Sequence, residues 1–229
     1  MGAPMSDNPA HWDRQALLRE LRRYLPQARL QFQSLPECAG LELLLIAPGL
    51  ETRSLEQWQI ELLSDDPPYW VFCWASGRAL ARRVLAGEIP VRGRRVVDLG
   101  AGSGVVAIAT SMAGAAEVYA CDRDTRCLGA SVINARHNGV AVIPVTELEQ
   151  VAKPVDLILA ADVLYESGNL PLLDLMCGYG CQVVLADSRL KSMPDPRFHL
   201  TQVYFASTFP DYAENREHNR VRVYHCRGS

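Results

Sequence analysis

The stretch "VVDLGAGSGVVAIAT", residues 96–110, constrains the fold more than any other part of the chain. An apolar run reaches Asp98, breaks into glycines at 100, 102 and 104, then turns apolar again with small side chains. The first run predicts the end of a buried strand, and Val105 to Thr110 predicts a helix packed closely on a sheet. Gly100, Gly102 and Gly104 therefore occupy a strand-to-helix turn. Glycine there permits positive φ and removes the Cβ atoms that would keep a ligand from the backbone. The helix that follows aims free N–H groups into the same space. This is a nucleotide cradle.

The spacing narrows the nucleotide. A dinucleotide fingerprint reads G-x-G-x-x-G, with the pyrophosphate on the helix N-terminus. Here the third glycine comes one residue early, and Asp98 stands just before the turn. A carboxylate repels a pyrophosphate and attracts a sulfonium or an amino group. A cationic, phosphate-free nucleoside is favoured, which means S-adenosylmethionine.

Around this unit, strand and helix signals alternate. Trp12 to Leu25 predicts an amphipathic helix, with a solvated basic face of Arg14, Arg19, Arg22 and Arg23, and residues 1 to about 10 are expected to be disordered. "LELLLIAP" (41–48) predicts a strand, and "SDDPPYW" (64–70) an extended linker. A helix follows over 76–88. Strands are expected at 117–121, 141–145, 155–161 and 182–187, and helices from Thr125 to "HNG" (137–139) and over 170–180. "HLTQVYFAST" and "RVRVYHC" predict a closing antiparallel hairpin. The expected fold class is α/β: a Rossmann-like, seven-stranded, mainly parallel sheet with a C-terminal antiparallel hairpin and helices on both faces. Residues 1–66 are read as an N-terminal helix and strand segment covering the core, and 67–229 as the catalytic domain.

Composition excludes several classes. At 229 residues and 48% hydrophobic the chain can bury a full core, and a net charge of -3 argues against a protein that lives on nucleic acid. No apolar stretch approaches the roughly 20 residues of a membrane span. The opening "MGAPMSDNPAHWDR" lacks the basic-then-apolar order of a secretory signal, so a cytoplasmic protein is expected. The seven cysteines form no C-x-x-C pair and no zinc-spaced cluster, so reduced thiols and no metal are expected.

In open sheets of this kind ligands sit beyond the carboxyl ends of the strands. That rule selects Asp122, after the 117–121 strand and 22 residues past Gly100, as a carboxylate for both ribose hydroxyls. Asp124 is better explained as the N-cap of the next helix. Asp162 and Tyr165 leave the 155–161 strand three residues apart, where an acid has little structural purpose because burying an unpaired charge is costly. Glu147 either meets an adenine amine or is an exposed loop acid.

Taken together, "VVDLGAGSG", "VYACDRD" and "DLILAADVLY" resemble the seven-β-strand methyltransferases. "DVLY" is similar to the D-x-x-Y/F signature of the protein-lysine methyltransferase branch called family 16. "PYWVFCWASGRAL" (68–80) resembles the P-Y-W-x-x-x-W entry of the group that methylates the electron-transfer flavoprotein β-subunit. The likeness covers roughly residues 41–190. It implies that Trp74, Gly100, Ala101, Gly102, Asp122 and Ala161 line the donor site, and that Asp162 and Tyr165 face the acceptor. Many relatives carry a tryptophan after the third parallel strand, where this chain has "PVTELEQ".

The chemistry suits these residues. A methyl group moves by in-line displacement from a sulfonium to a neutral amine, so orientation and desolvation can supply much of the catalysis. Asp162 would hold the lysine ammonium, Tyr165 would fix a second direction, and Trp70 either offers a π face to the cation or packs in the core. The leading expectation is transfer to lysines of a protein, the electron-transfer flavoprotein β-subunit being favoured. Transfer to a ribosomal protein or to a small amine such as a pyridine, and donor binding without catalysis, are the alternatives. Absence of an N-P-P-Y type motif speaks against methylation of nucleic-acid bases.

Overall fold

The computed structural model describes residues 12–49, 55–179, 181–211 and 215–227. The expectation for residues 1–10 lies outside them. The chain opens with α1 (Arg14–Tyr24), capped by Asp13, whose carboxylate accepts from Ala16 N at 2.6 Å. An antiparallel pair follows, β1 (Leu30–Ser34) and β2 (Glu42–Ile46). Then come α2 (Gln57–Asp65), a 3₁₀ turn at Tyr69–Val71 and α3 (Ala75–Leu85). The expected extended linker at 64–70 is thus helical at both ends, and only Asp66, Pro67 and Pro68 interrupt it.

From there strands and helices alternate: β3 (Arg95–Leu99), α4 (Val105–Met112), β4 (Glu117–Cys121), α5 (Thr125–His137), β5 (Ile143–Val145), β6 (Leu157–Ala161), α6 (Leu172–Cys177), β7 (Gln182–Asp187), β8 (His199–Phe205) and β9 (Arg220–Arg227). The seven-stranded sheet runs β5-β4-β3-β6-β7-β9-β8, with β3 to β7 parallel and β9 antiparallel to both its neighbours. This is the architecture the alternation predicts. β5 is shorter than the expected 141–145 strand, because only Ile143–Val145 pairs with β4.

Alternate side chains of β3 point to opposite faces and found two cores. Val96 joins Leu80, Val105, Ile108 and Ala135 of α3, α4 and α5. Val97 joins Leu173 and Met176 of α6. All seven cysteines are buried and unbridged.

The N-terminal elements are tied to the core through α5. Asn134, fully buried, accepts from Leu44 N at 2.7 Å and donates to Ser103 O at 2.9 Å. One amide therefore joins β2, α5 and the glycine turn. Near the end of α5, Asn138 accepts from Glu42 N at 3.0 Å and donates to Glu42 O at 2.7 Å. A buried group stripped of its partner costs about 1–3 kcal/mol. Asn134→Ala is therefore expected to lower stability by about 2–4 kcal/mol, and Asn138→Ala, half-buried, by less. Thermal denaturation of both variants checks the order, and a smaller loss for Asn134 would contradict the bridging role.

Candidate functional site

The chain leaves β3 toward β4 on one side, while β6 pairs with β3 on the other. Where crossovers diverge like this, a crevice opens beyond the carboxyl ends of the strands. A cleft of about 590 Å³ lies there, bounded by Gly100, Gly102 and Asp122 on one side and by Asp162 and Tyr165 on the other. That volume falls in the range of small-ligand sites.

The glycine turn follows from its packing. Gly100 N and Ala101 N both donate to Cys121 O, at 2.8 and 3.1 Å, which pins the turn to the end of β4. All three glycines have positive φ, but each is needed for a different reason. A Cβ on Gly104 would fall 2.8 Å from Ser131 Cα, so this glycine lets α4 approach α5. A Cβ on Gly100 would meet Val163 Cγ1 at 2.5 Å. A Cβ on Gly102 would meet nothing nearer than 4.0 Å, and this residue borders the cleft. Gly102 is the one whose missing side chain leaves room for a ligand. Ala101 and Gly104 are buried and do not border the cleft.

Asp98 is placed differently from the expectation of a carboxylate beside the ligand. It is 1% exposed, beneath the turn rather than in the cleft, and accepts from Ala107 N at 2.9 Å. Gly104 has no side chain to cap α4, so Asp98 supplies the missing acceptor from β3. Burial pushes its carboxyl up to about 7.

Asp122 borders the cleft, as the strand-end rule predicts. Its Oδ2 accepts from Gly102 N at 2.9 Å and its Oδ1 from Asp124 N at 3.0 Å. Burial raises its pKa, against the pull of these two N–H groups. The Cys127 thiol also hydrogen-bonds to this carboxylate, which still keeps lone-pair capacity toward the cleft for a hydroxyl donor. Asp124 caps α5 through Arg126 N at 2.8 Å, as expected. Arg126, almost fully buried, continues from Asp124 to Asp66 and to Tyr24 Oη at 3.0 Å.

On the opposite wall Asp162 adopts φ +51°, a left-handed conformation that non-glycine residues rarely hold. Its Oδ1 accepts from Ser76 Oγ at 2.7 Å and from Ser188 N and Oγ, both at 2.8 Å. Among the described residues, its Oδ2 accepts from Ser76 N alone, at 3.1 Å. One oxygen is thus filled and the other has room. Tyr165 is 39% exposed and packs its ring 5.2 Å from that of Tyr69, which lies 5.9 Å from Trp74. Arg189 lies over Trp74 at 5.4 Å. Ala161, Trp74 and Glu147 also border the cleft.

Trp70 does not join them. It is fully buried among Leu17, Leu21 and Leu44, so of its two sequence readings the structure places it in the core. Ser76, Ser188 and Tyr69 were not singled out from sequence. Tyr69 stands one residue before Trp70 in the motif already noted, and Ser188 directly follows β7, at the edge where ligands sit.

A sheet in this order, with a glycine turn from β3 into a helix and a cleft at the strand ends, is a Rossmann-like fold. The backbone is similar to that of magnesium protoporphyrin IX methyltransferase from Synechocystis PCC 6803, solved with bound SAM. The TM-score is 0.51 at 16% identity, covering 68% of this chain and 80% of that one. Residues 80–166 match the family model of ribosomal protein L11 methyltransferase (PrmA). The chain is also similar to the electron transfer flavoprotein beta subunit lysine methyltransferase of Rattus norvegicus, 35% identical over 128 residues, 52% of this chain and 50% of that protein. The Homo sapiens protein of the same name is 33% identical over 132 residues, 53% of this chain and 50% of that one. The chain spans about half the length of the curated relatives it matches.

The Asp98 carboxyl gives a pH test. Its pKa is 3.8 in its ordinary setting and about 7 in the folded protein, so the folded state holds the extra proton between those values. Its contribution is full below about pH 4 and is lost as pH rises to about 7. Asp98→Asn keeps an oxygen for Ala107 N–H and removes that loss. Relative to wild type, the variant should gain stability across this window and level off above it, as read by urea denaturation at stepped pH. A constant difference would refute the buried carboxyl.

Proposed function

We propose that this chain is an S-adenosylmethionine-dependent N-methyltransferase acting on lysine side chains of a protein, with the electron-transfer flavoprotein β-subunit as the favoured acceptor. The observation that carries this is one continuous cleft running from Asp122 beside Gly102 to Asp162 beside Tyr165. The similarity to lysine methyltransferases named for that subunit supports the choice of acceptor.

In this reading the remaining lone-pair capacity of Asp122 receives a ribose hydroxyl, and the bare Gly102 lets the nucleoside approach the backbone. Glu147 borders the far end, where the base would lie. When bound, the donor would supply a methyl group on a positively charged sulfur, which a neutral amine takes in line as the C–S bond breaks and the neutral thioether leaves. A lysine arrives as an ammonium, with a reference pKa of about 10.4, and must shed a proton. Asp162 Oδ2 accepts a hydrogen bond from it, while the three donors on Oδ1 hold the carboxylate still. The Tyr165 hydroxyl fixes the second direction, and the Trp74 and Tyr69 rings offer π faces to the cation. Among the described residues before Pro67, α1 and β2 pack over α5 and serve as a cover.

A second reading, transfer to a ribosomal protein, is favoured by the family match over residues 80–166. Incubating purified electron-transfer flavoprotein with labelled donor and mapping the product by mass spectrometry separates the two. Methyl-lysine on the β-subunit is expected. An unmodified subunit alongside a labelled ribosomal protein would favour the second reading.

Two variants divide donor binding from chemistry. Asp122→Ala should weaken donor binding by about 1.5–3 kcal/mol in calorimetry, the range for hydrogen bonds to a charged group. Tyr165→Phe should slow methyl transfer while donor affinity holds. Normal turnover by Tyr165→Phe would remove that residue from the acceptor site.

A further inference from the structure

Behind the aromatic wall of the cleft lies a second, apolar groove of about 200 Å³. Tyr69 and Trp74 border both spaces, so the groove begins one ring away from Tyr165. Its other sides come from Leu55, Leu63, Pro67 and Phe72. On the same short helix, α2, Trp58, Ile60 and Leu62 are 43%, 47% and 41% exposed. Trp58 and Leu62 lie one turn apart on one face of α2, and Ile60 lies on the other flank beside Leu63; exposed apolar side chains on both flanks of a helix that borders an apolar groove mark a contact surface.

The patch carries a charge pattern as well. Glu56, Glu61 and Asp65 are exposed around it, and residues 55–77 contain no lysine or arginine. We infer that α2 and the groove dock the polypeptide that flanks the acceptor lysine, an inference that rests on the lysine-transfer reading above. The occupant is a segment of net positive charge with a bulky apolar side chain close to the lysine. Only the rings of Tyr69 and Trp74 stand between the groove and the cleft, so the apolar side chain belongs to a near neighbour of the lysine in sequence.

Charge selects this occupant over a second copy of the chain. In a two-fold contact each partner presents the same patch, so acidic α2 would face acidic α2. A lysine-bearing basic segment meets it with opposite sign. Continuity through Tyr69 and Trp74 then places the flanking residue and the lysine on one track.

The test uses purified electron-transfer flavoprotein as acceptor. Leu63→Glu puts a carboxylate in the groove, and Ile60→Ser changes only the exposed face of α2. Leu63→Glu is expected to raise KM for the acceptor about tenfold, the affinity carried by one buried apolar side chain. Ile60→Ser should raise it by less. Calorimetric donor affinity and kcat should stay at wild-type values in both. If the wild type methylates lysine and neither variant changes KM, the docking surface is wrong and lysine transfer stands. If the wild type leaves the flavoprotein without methyl-lysine, that acceptor falls and the docking surface with it.

Discussion

The glycine turn can sit at the mouth of the cleft because a carboxylate is buried beneath it. Gly104 starts α4 in a left-handed conformation and has no side chain to offer the free N–H groups of the first turn. Asp98 reaches up from β3 and accepts from Ala107 N, so the cap comes from the strand that the turn has just left. Strand, turn and helix become one rigid corner. The cost is a carboxyl held almost dry, which burial shifts toward its neutral form. An acid at that position is therefore a building element first, and its nearness to a bound cation is secondary.

The two walls of the cleft are set against each other by the same kind of packing. Val163 follows Asp162 out of β6, and its Cγ1 fills the space where a Cβ on Gly100 would stand. Asp162 can hold its left-handed φ, worth about 1 kcal/mol of strain, because Ser76 and Ser188 donate four hydrogen bonds to its carboxylate. Ser76 lies on α3 and Ser188 follows β7, so one side chain joins three elements at the edge of the site. The distance between Gly102 and Tyr165 is thus a property of the packed core, not of either loop alone.

What the sequence discloses depends on whether the cause is local. The 96–110 unit, the Asp124 cap and the strand-end position of Asp122 are legible because glycine conformation, capping and sheet topology act within a few residues. β1 is not, since "LQFQS" is short and half polar, and becomes a strand only by pairing with β2. α2 is hidden likewise: its apolar residues do not fall on one buried face, and of its residues only Gln59 is buried. Trp70 illustrates the reverse problem. An aromatic beside a recognisable motif reads equally as site or core, and the burial that decides it comes from α1 and β2. Ser76 and Ser188 gain meaning only from Asp162, 86 and 26 residues away.

The two sides of the cleft are built in different ways. The Gly102 side of the cleft is made of backbone N–H groups, bare glycines and one strand-end acid, all within residues 98–124. Such a device depends on fold geometry, and it lies inside the span that matches a methyltransferase family model. The Tyr165 side draws on Tyr69 and Trp74 before the sheet and on Asp162, Tyr165 and Arg189 after β6 and β7. Those side chains lie apart from the corner at Asp98, so on the proposed reading acceptor choice can diverge while the turn stays fixed. Arg126 links the two regimes. Through Asp124 it steadies the loop that carries Asp122, and through Asp66 and Tyr24 it holds the N-terminal elements against α5. The guanidinium joins Asn134 and Asn138 in fastening the N-terminal elements, so on the proposed reading that segment is placed to shape the acceptor side while the sheet and its glycine turn stay unaltered.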